Sequence, residues 1–322
     1  MIYAELSKKK LKENAEIILF NLGNLKNDEK LCIISDKETK DLGSLFYSLS
    51  QTHKINSKHF IINPLKMHGE EPPHQVSNFM KDSNLIIGLT KLSMAHTKAR
   101  QIASLKGARY LSLPDYSKEI LMHKALQVNY YVLGEKAKAL ANRFSEANKI
   151  HILTKNGTNL ELNIKNRKGN FAPGYVNQEI LLGSPPDIEA NVAPLEEKSR
   201  GKVVVDGSIP VPGLGKLENP IILEIENGKI CSISGEKSIC NKIKKLFDSY
   251  GGKSMILAEC GVGFNKESNL CGNMLIDEGT YGTIHLGFGS NTALGGLNSV
   301  DFHLDFVFFA DEIILDDECI KI

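Results

Sequence analysis

Short apolar runs alternate with segments of helical periodicity up to about residue 120. The apolar runs predict four strands, at residues 30–36, 59–63, 84–89 and 109–113. Between them, the spacing of apolar positions predicts helices over 37–51 and 92–105. Strands that are apolar on both faces and alternate with helices are typical of a parallel sheet covered on both sides. The first half of the chain therefore predicts an α/β fold with a doubly wound, mostly parallel sheet.

The pattern changes across residues 117–147. Lys, Glu, Ala and Leu are frequent there and favour helix, while Gly134 leaves open whether the segment is one helix or two in sequence. Beyond about residue 148, strand-like runs are divided by turn-forming residues, and Asn227-Gly228 is typical of a β-hairpin. A single helix is predicted near 235–249. This half of the chain is therefore β-rich.

Length and composition add limits to this picture. A chain of 322 residues favours two domains, because single cores usually stop growing at about 250–300 residues. We predict an α/β domain with its linking helix over 1–147, and a β-rich α+β metal-binding catalytic domain over 148–322. Thirty-nine basic and 38 acidic residues leave a net charge of +1, which gives no reason to expect nucleic acid or a membrane as partner. Because the N-terminus lacks the features of a signal peptide, we expect a cytoplasmic protein.

Two residues of a predicted strand over 300–309 carry the first candidate chemistry. Alternation places His303 and Asp305 on the same face of that strand, at a spacing suited to binding one ion. Burying both would be costly without a partner. Three alternatives are open. A metal ion is the partner of both residues, the two side chains form a hydrogen bond with each other, or their face of the strand is exposed to solvent. His285, in the strand-like segment 283–289, is either a structural histidine or completes a set of two histidines and one aspartate. That set is the facial triad of non-haem iron sites, or the core of a zinc or manganese site.

Two glutamates are weaker candidates. Glu259 ends the apolar run 255–258, where either a functional edge or a solvated strand end is expected. Glu189 lies in a proline-containing segment and by itself indicates little. Cys260 follows Glu259 directly, so the two side chains should point to opposite faces of a strand, and Cys260 is expected to be buried.

Four motifs, in order, resemble the aminopeptidase T-like metallopeptidase family. Residues 270–289 resemble its run of glycine-asparagine, aspartate-glutamate and glycine-threonine-x-histidine. Phe302-His303-Leu304-Asp305 resembles its closing His-x-Asp pair. Glu189 with Ala193-Pro194, and the segment 259–265, resemble its two glutamate-bearing segments. The resemblance covers most of residues 85–310. The family contains metallo-aminopeptidases and, as a relative, the iron-dependent 2,5-dihydroxypyridine dioxygenase.

This resemblance implies a homodimer and a set of five metal ligands. The set consists of Glu189, Glu259, His285, His303 and Asp305. The sequence departs from the peptidases at two positions: Ile188 stands where they have a second glutamate, and Thr292 where they have a tyrosine. Both departures weaken a two-metal peptidase site and leave the triad intact.

Three interpretations follow from the resemblance. The preferred one is a hydrolase that removes N-terminal residues from a peptide or a peptide-like substrate. It would use zinc, cobalt or manganese, and Glu189 or Glu259 would bridge the ions or take a proton from water. The alternative is a mononuclear Fe(II) ring-cleaving dioxygenase that acts on a small aromatic molecule. The third is a binding module that keeps the fold without turnover.

Overall fold

The computed structural model describes residues 2–322, with side chains from residue 7 onward. The chain forms two compact units. The first comprises the residues up to Tyr130 together with Gly174–Pro185, and the second comprises Tyr131–Pro173 and Pro186–Ile322. The predicted domain boundary at residue 147 stays a prediction. Within the described residues, none of the helices has the length and apolar character needed to cross a membrane.

The helices and strands are numbered in chain order. The α-helices are α1 (Ile2–Glu16), α2 (Lys40–Thr52), α3 (His74–Lys81), α4 (Lys98–Leu105), α5 (Lys118–Leu121), α6 (Tyr130–Glu146), α7 (Lys237–Asp248) and α8 (Met274–Asp277). A π-helix covers Ile17–Leu22, and 3₁₀ turns cover Lys124–Gln127, Gly252–Met255 and Thr292–Leu294. The strands are β1 (Lys30–Ser35), β2 (Asn56–Ile61), β3 (Leu85–Gly88), β4 (Arg109–Ser112), β5 (Lys149–Leu153), β6 (Asn159–Asn163), β7 (Asn170–Ala172), β8 (Leu182–Gly183), β9 (Glu189–Val192), β10 (Arg200–Val205), β11 (Ser208–Ile209), β12 (Gly215–Lys216), β13 (Ile221–Glu226), β14 (Lys229–Ser234), β15 (Leu257–Gly263), β16 (Thr283–Gly289), β17 (His303–Phe309), β18 (Glu312–Leu315) and β19 (Glu318–Lys321).

The first unit contains the parallel sheet that the apolar runs predict. Its strand order is β2-β1-β3-β4-β8, and every neighbouring pair is parallel. Strands β1, β3 and β4 are almost entirely buried, in agreement with their continuous apolar sequence. The α/β fold class is confirmed. The fifth strand, β8, comes from the segment that returns to this unit after residue 173.

Two predicted helices differ from the observed ones. Helix α4 begins at Lys98 rather than at residue 92, because the hydroxyl of Thr97 accepts a hydrogen bond from Arg100 N and caps the first turn. The segment 117–147 contains the short α5, a 3₁₀ turn and the long α6 instead of one or two helices. Gly134 lies inside α6 and does not interrupt it.

The second unit contains two antiparallel sheets of seven strands each. One has the order β14-β13-β10-β6-β5-β18-β19. The predicted hairpin at Asn227-Gly228 joins β13 to β14, and both turn residues have positive φ, at 49° and 69°. This geometry is the one that Asn-Gly favours in two-residue hairpins.

The other sheet of the second unit has the order β12-β11-β17-β16-β15-β9-β7. One of its faces is aromatic. Phe288 of β16 and Phe306 of β17 lie edge to face at 5.4 Å, and Phe247 of α7 stacks on Phe306 at 6.3 Å. Since side chains alternate along a strand, the residues between these aromatics face the opposite side. That opposite side is called the ligand face below.

Candidate metal centre

The ligand face brings all five candidate ligands together. They come from four neighbouring strands, with Glu189 on β9, Glu259 on β15, His285 on β16, and His303 and Asp305 on β17. The register pairs Gly261 with His285, Gly287 with Asp305, and Gly289 with His303. Because paired residues share a face, the candidates project from the same side of the sheet. Their roles as ligands stay a prediction.

A β-bulge in β15 places Glu259 on this face. Leu257 pairs with Phe288, whereas Glu259 pairs with Gly287, so Ala258 is an extra residue between them. Without the bulge, Leu257 and Glu259 would project to the same side. The insertion keeps Leu257 in the core and directs Glu259 to the ligand face. The apolar run 255–258 had suggested that Glu259 ends a strand. Glu259 instead lies inside β15.

The ligand atoms form two overlapping groups that share Glu259. In the first, His285 Nε2 lies 3.0 Å from Glu189 Oε2 and 3.7 Å from Glu259 Oε1. In the second, His303 Nε2 lies 3.2 Å from both Glu259 Oε2 and Asp305 Oδ1. Within each group, the ligand atoms lie within 4.8 Å of one another. The predicted triad is divided between the groups, and Glu259 connects its two parts.

Close packing shifts the proton affinities of the cluster. Burial would raise the pKa of the Glu259 carboxyl, but interactions with His285 and His303 outweigh burial and bring that pKa to about 2. Burial would lower the pKa of both imidazoles, but Glu189 beside His285 and Asp305 beside His303 raise both pKa values well above their ordinary range. Protons therefore occupy the imidazoles when no metal is bound, and a metal ion would have to displace them.

Unpartnered atoms test whether these residues fit a metal ion. Glu189 Oε2 and His285 Nδ1 are buried, and neither has a hydrogen-bond partner within the described part of the chain. A buried acceptor left without a partner costs about 1–3 kcal/mol. Glu189 Oε2 lies 3.0 Å from His285 Nε2, so the two form an ion pair while the imidazole keeps its proton. Once that proton is released, a cation placed between the two atoms would take its place as the partner of both.

His303 has the second hydrogen bond expected of a metal-binding imidazole. Its Nδ1 lies 3.0 Å from the carbonyl oxygen of Ser290, so the Nδ1–H donates to that oxygen and Nε2 points at the carboxylates. The side chain is 34% exposed, whereas that of His285 is 1% exposed. Imidazole nitrogens with carboxylate oxygens are a donor set that suits divalent iron, manganese, zinc or cobalt. The residues present therefore fit a divalent metal ion.

Three further polar residues of this region were not among the predicted site residues. Asn191 Nδ2 donates to Glu189 Oε1 at 2.7 Å, and Asn191 Oδ1 has no hydrogen-bond partner within residues 7–322. Burial, with Glu189 adding to it, raises the pKa of Asp187 well above its usual range, and burial with Asp305 does the same to Glu278. The sequence could have indicated Asp187 and Asn191, because each lies two residues from Glu189, the spacing that places side chains on the same face of a strand.

Cys260 takes no part in the ligand face. It is buried on the other side of β15, as its position next to Glu259 predicts, and burial raises the pKa of its thiol to about 12. Neither of the two ligand groups includes a thiol.

Comparison with known proteins separates the interpretations left open by the residues. The family model described as NicX, 2,5-dihydroxypyridine 5,6-dioxygenase, matches residues 2–321. The chain belongs to the NicX family. The solved structure of 2,5-dihydroxypyridine dioxygenase from Pseudomonas putida is similar in fold, with a TM-score of 0.81 at 16% identity over 97% of this chain and 95% of that chain. AmpT from Thermus thermophilus gives a TM-score of 0.67 at 15% identity over 98% of each chain. No curated protein sequence matches the chain.

Membership in the NicX family corrects the preferred functional prediction. The chain was predicted to be an aminopeptidase-like hydrolase, and that prediction is wrong, because the family model that spans nearly the whole chain is that of a dioxygenase. The resemblance to the AmpT fold is confirmed. The physical reason for the error is that the two groups share the fold, and a shared fold does not determine the chemistry.

Proposed function

We propose that the chain is a mononuclear Fe(II) dioxygenase that opens a dihydroxylated aromatic or heteroaromatic ring. The observation that carries the proposal is the convergence of two imidazoles with carboxylates on a buried face of a NicX-family chain. The substrate class follows from the family, whose description names 2,5-dihydroxypyridine. A small molecule of this kind is also consistent with a site in which most ligand groups are buried.

His285, His303 and Asp305 are proposed to hold the metal. A ferrous ion bound by two histidines and one carboxylate retains open positions for substrate and dioxygen and supplies the redox chemistry of ring cleavage. Ser290 fixes the His303 ring through its carbonyl oxygen. Glu259, with its low pKa, stays ionised and orients both imidazoles by attracting their Nε2 atoms.

The remaining polar groups are proposed to orient the substrate. Glu189 Oε2 lies beside His285 and has no hydrogen-bond partner within the described residues, so it is available to accept a hydrogen bond from a ring hydroxyl. The raised pKa values of Asp187 and Glu278 favour carboxyl groups that keep their proton and can donate it in a hydrogen bond. His303, the most exposed member of the cluster, marks the side from which a small molecule would approach.

Oxygen uptake tests this proposal. The protein is purified without oxygen, loaded with Fe(II) and mixed with 2,5-dihydroxypyridine in an oxygen electrode while the ring absorbance is followed. We expect equimolar loss of oxygen and ring absorbance with the iron form and no loss with the metal-free form. His303→Ala should remove the activity, whereas His74→Ala, an exposed histidine of α3, should retain it. Failure of the iron form to consume oxygen with dihydroxylated pyridines or benzenes would contradict the proposal.

A further inference from the structure

Four glycines share the ligand face with the candidate ligands. They follow the same spacing in two neighbouring strands: Glu259-x-Gly261-x-Gly263 in β15 and His285-x-Gly287-x-Gly289 in β16. Glycine weakens a strand interior, because it loses more backbone entropy on folding than other residues do and contributes no side chain to packing. Four glycines on one buried face therefore need a reason of their own.

Gly261 is required for space and not for backbone conformation. Its φ is not positive, so the backbone would accept any residue. A Cβ atom at this position would lie 2.0 Å from His285 Nε2 and 2.2 Å from His285 Cε1. The imidazole of His285 therefore lies directly over the bare backbone of the residue with which it pairs across the two strands.

Gly287 has the same relation to the second histidine. Its φ is also not positive. A Cβ atom there would lie 2.5 Å from His303 Nε2 and 2.9 Å from Asp305 Oδ1. In the sheet, Gly287 pairs with Glu259 on one side and with Asp305 on the other. A methyl group at this position would occupy the space in which those ligand atoms meet.

The other two glycines have different reasons to be glycine. A Cβ atom on Gly263 would meet backbone atoms, 2.3 Å from Thr280 O and 2.6 Å from Gly279 C. Gly289 has a φ of +119°, and its Cβ would lie 2.2 Å from Phe302 O. Substitution at these two positions would disturb the fold, whereas at Gly261 and Gly287 the nearest atoms are the far ends of ligand side chains.

We propose that Gly261 and Gly287 are positioning residues for the metal centre. Each provides a flat seat of bare backbone on which one imidazole lies, and the seat sets the direction in which Nε2 points. The effect of these glycines on oxygen chemistry rests on the proposed function. Their effect on the positions of the two imidazoles does not depend on that function. They act in the metal-free protein, because the crowding involves only atoms of the chain.

A double-mutant cycle on the metal-free protein tests each seat. Gly261→Ala should lower the Tm by roughly 2–10 °C, as expected for added volume in a packed region. In a His285→Ala background, the same substitution should change the Tm by less than about 1 °C, because the crowded ring is gone. Gly287→Ala should lose most of its effect in a His303→Ala background, with a smaller loss remaining because Asp305 Oδ1 would lie 2.9 Å from the added methyl group. The crossed pairs, Gly261→Ala with His303→Ala and Gly287→Ala with His285→Ala, should keep the full loss.

Gly252→Ala is the matched control for adding a methyl group. Gly252 is exposed, its φ is not positive, and the nearest atom to the added methyl would be the flexible Lys229 Nζ at 3.3 Å. Its Tm and metal affinity should match those of the unmodified chain. An equal Tm loss from Gly261→Ala with and without His285 would overturn the proposal, because the loss would then come from the strand itself.

Cobalt(II) titration provides a readout that remains if a histidine variant fails to fold. Gly261→Ala and Gly287→Ala should each weaken cobalt binding by about 10–100-fold, the range found when the support of a metal ligand is removed. The visible absorption of the bound cobalt should also change, because the ligand geometry changes. Unchanged cobalt affinity and an unchanged spectrum in both variants would contradict the proposal that Gly261 and Gly287 position the histidines. Since neither readout needs turnover, a wrong substrate class would leave the result intact.

Discussion

Two buried polar regions of this chain differ in how their charges are satisfied. The first lies at the carboxyl edge of the parallel sheet, where Asp36 follows β1 and Lys91 follows β3. The strand order reverses between β1 and β3, the place at which doubly wound folds usually bind ligands. Asp36 Oδ1 accepts from Glu38 N and from Thr39, and Asp36 Oδ2 accepts from Lys91 N. Both carboxylate oxygens are therefore satisfied by the chain itself.

The ligand face of the second unit shows the opposite situation. Glu189 Oε2, Asn191 Oδ1 and His285 Nδ1 are buried without a hydrogen-bond partner within the described residues, and so are single oxygens of Asp187 and Glu278. Native proteins leave few such atoms unsatisfied, so a concentration of them needs an explanation. The comparison shows that buried charge alone does not identify a functional site. The concentration of buried polar atoms that the chain leaves unsatisfied is the feature that supports the proposed site.

The largest effect that separates the two regions should come from Glu259→Gln. The change keeps the shape of the side chain and removes the charge that both ligand groups share. We expect divalent metal affinity to fall by about 100-fold, the upper end of the range seen for residues that support metal ligands. Isothermal titration with cobalt or iron under nitrogen measures it. Glu226→Gln, an exposed change at the end of β13, is the control, and equal affinities for the two variants would remove Glu259 from the site.

Metal binding should stabilise the protein through the ligand face alone. A divalent ion at about 100 times its Kd adds about 2.7 kcal/mol to the free energy of unfolding of the form that binds it. The Tm should rise on addition of the metal and fall again with a chelator. The rise should persist in Asp36→Asn and disappear in His285→Ala. A metal-dependent rise in Tm that is lost in Asp36→Asn would contradict the prediction, because the metal would then act through the carboxyl edge of the parallel sheet.

Asp36→Asn should affect stability and leave the chemistry intact. The new amide places a donor where Lys91 N or the amides of residues 38–39 now donate, so one buried donor loses its acceptor. The expected loss is about 1–3 kcal/mol in the free energy of unfolding, measured by denaturant titration. Oxygen uptake per folded molecule and metal affinity should be unchanged. A loss of metal affinity would show that the carboxyl edge takes part in function.

The smallest predicted effect is a pH dependence of the metal-free protein. Because the folded-state pKa values of His285 and His303 are raised above their ordinary value of 6.5, their stabilisation is complete below that pH. It is lost as the pH rises through the raised values. The Tm of the metal-free protein should therefore fall as the pH rises above about 6.5. Replacing both histidines with alanine should flatten the curve. A Tm that rises over this range would contradict the assigned proton positions.

Much of the fold follows from local pattern. The fully apolar strands of the first unit and the Asn227-Gly228 hairpin were predictable, because burial and turn geometry act over a few residues. Helix α1 and the pairing of β8 with β4 were not predicted. The polar sequence of α1 has little apolar periodicity, and β8 has two residues whose partner lies about seventy positions earlier in the chain. Such pairing depends on tertiary contacts that no window of sequence contains.

The candidate ligands could be named from sequence, but their arrangement could not. Alternation predicted that His303 and Asp305 share a face, and the structure places them there. The role of Glu259 depends on the bulge at Ala258, and a single inserted residue leaves no mark in the apolar run. Asp187 and Glu278 were not named because burial, not residue type, distinguishes them from surface acids. The seats at Gly261 and Gly287 are visible as a repeated spacing only once the strands are paired.

Locating the bound metal by anomalous diffraction tests most directly whether the ligand face is a metal centre. Crystals of protein loaded anaerobically with Fe(II) would be measured on both sides of the iron absorption edge. We expect one anomalous peak per chain within bonding distance of His285 Nε2, His303 Nε2 and an oxygen of Asp305. A peak elsewhere, or no peak from crystals whose solution contains iron, would contradict the claim that the ligand face is a metal centre.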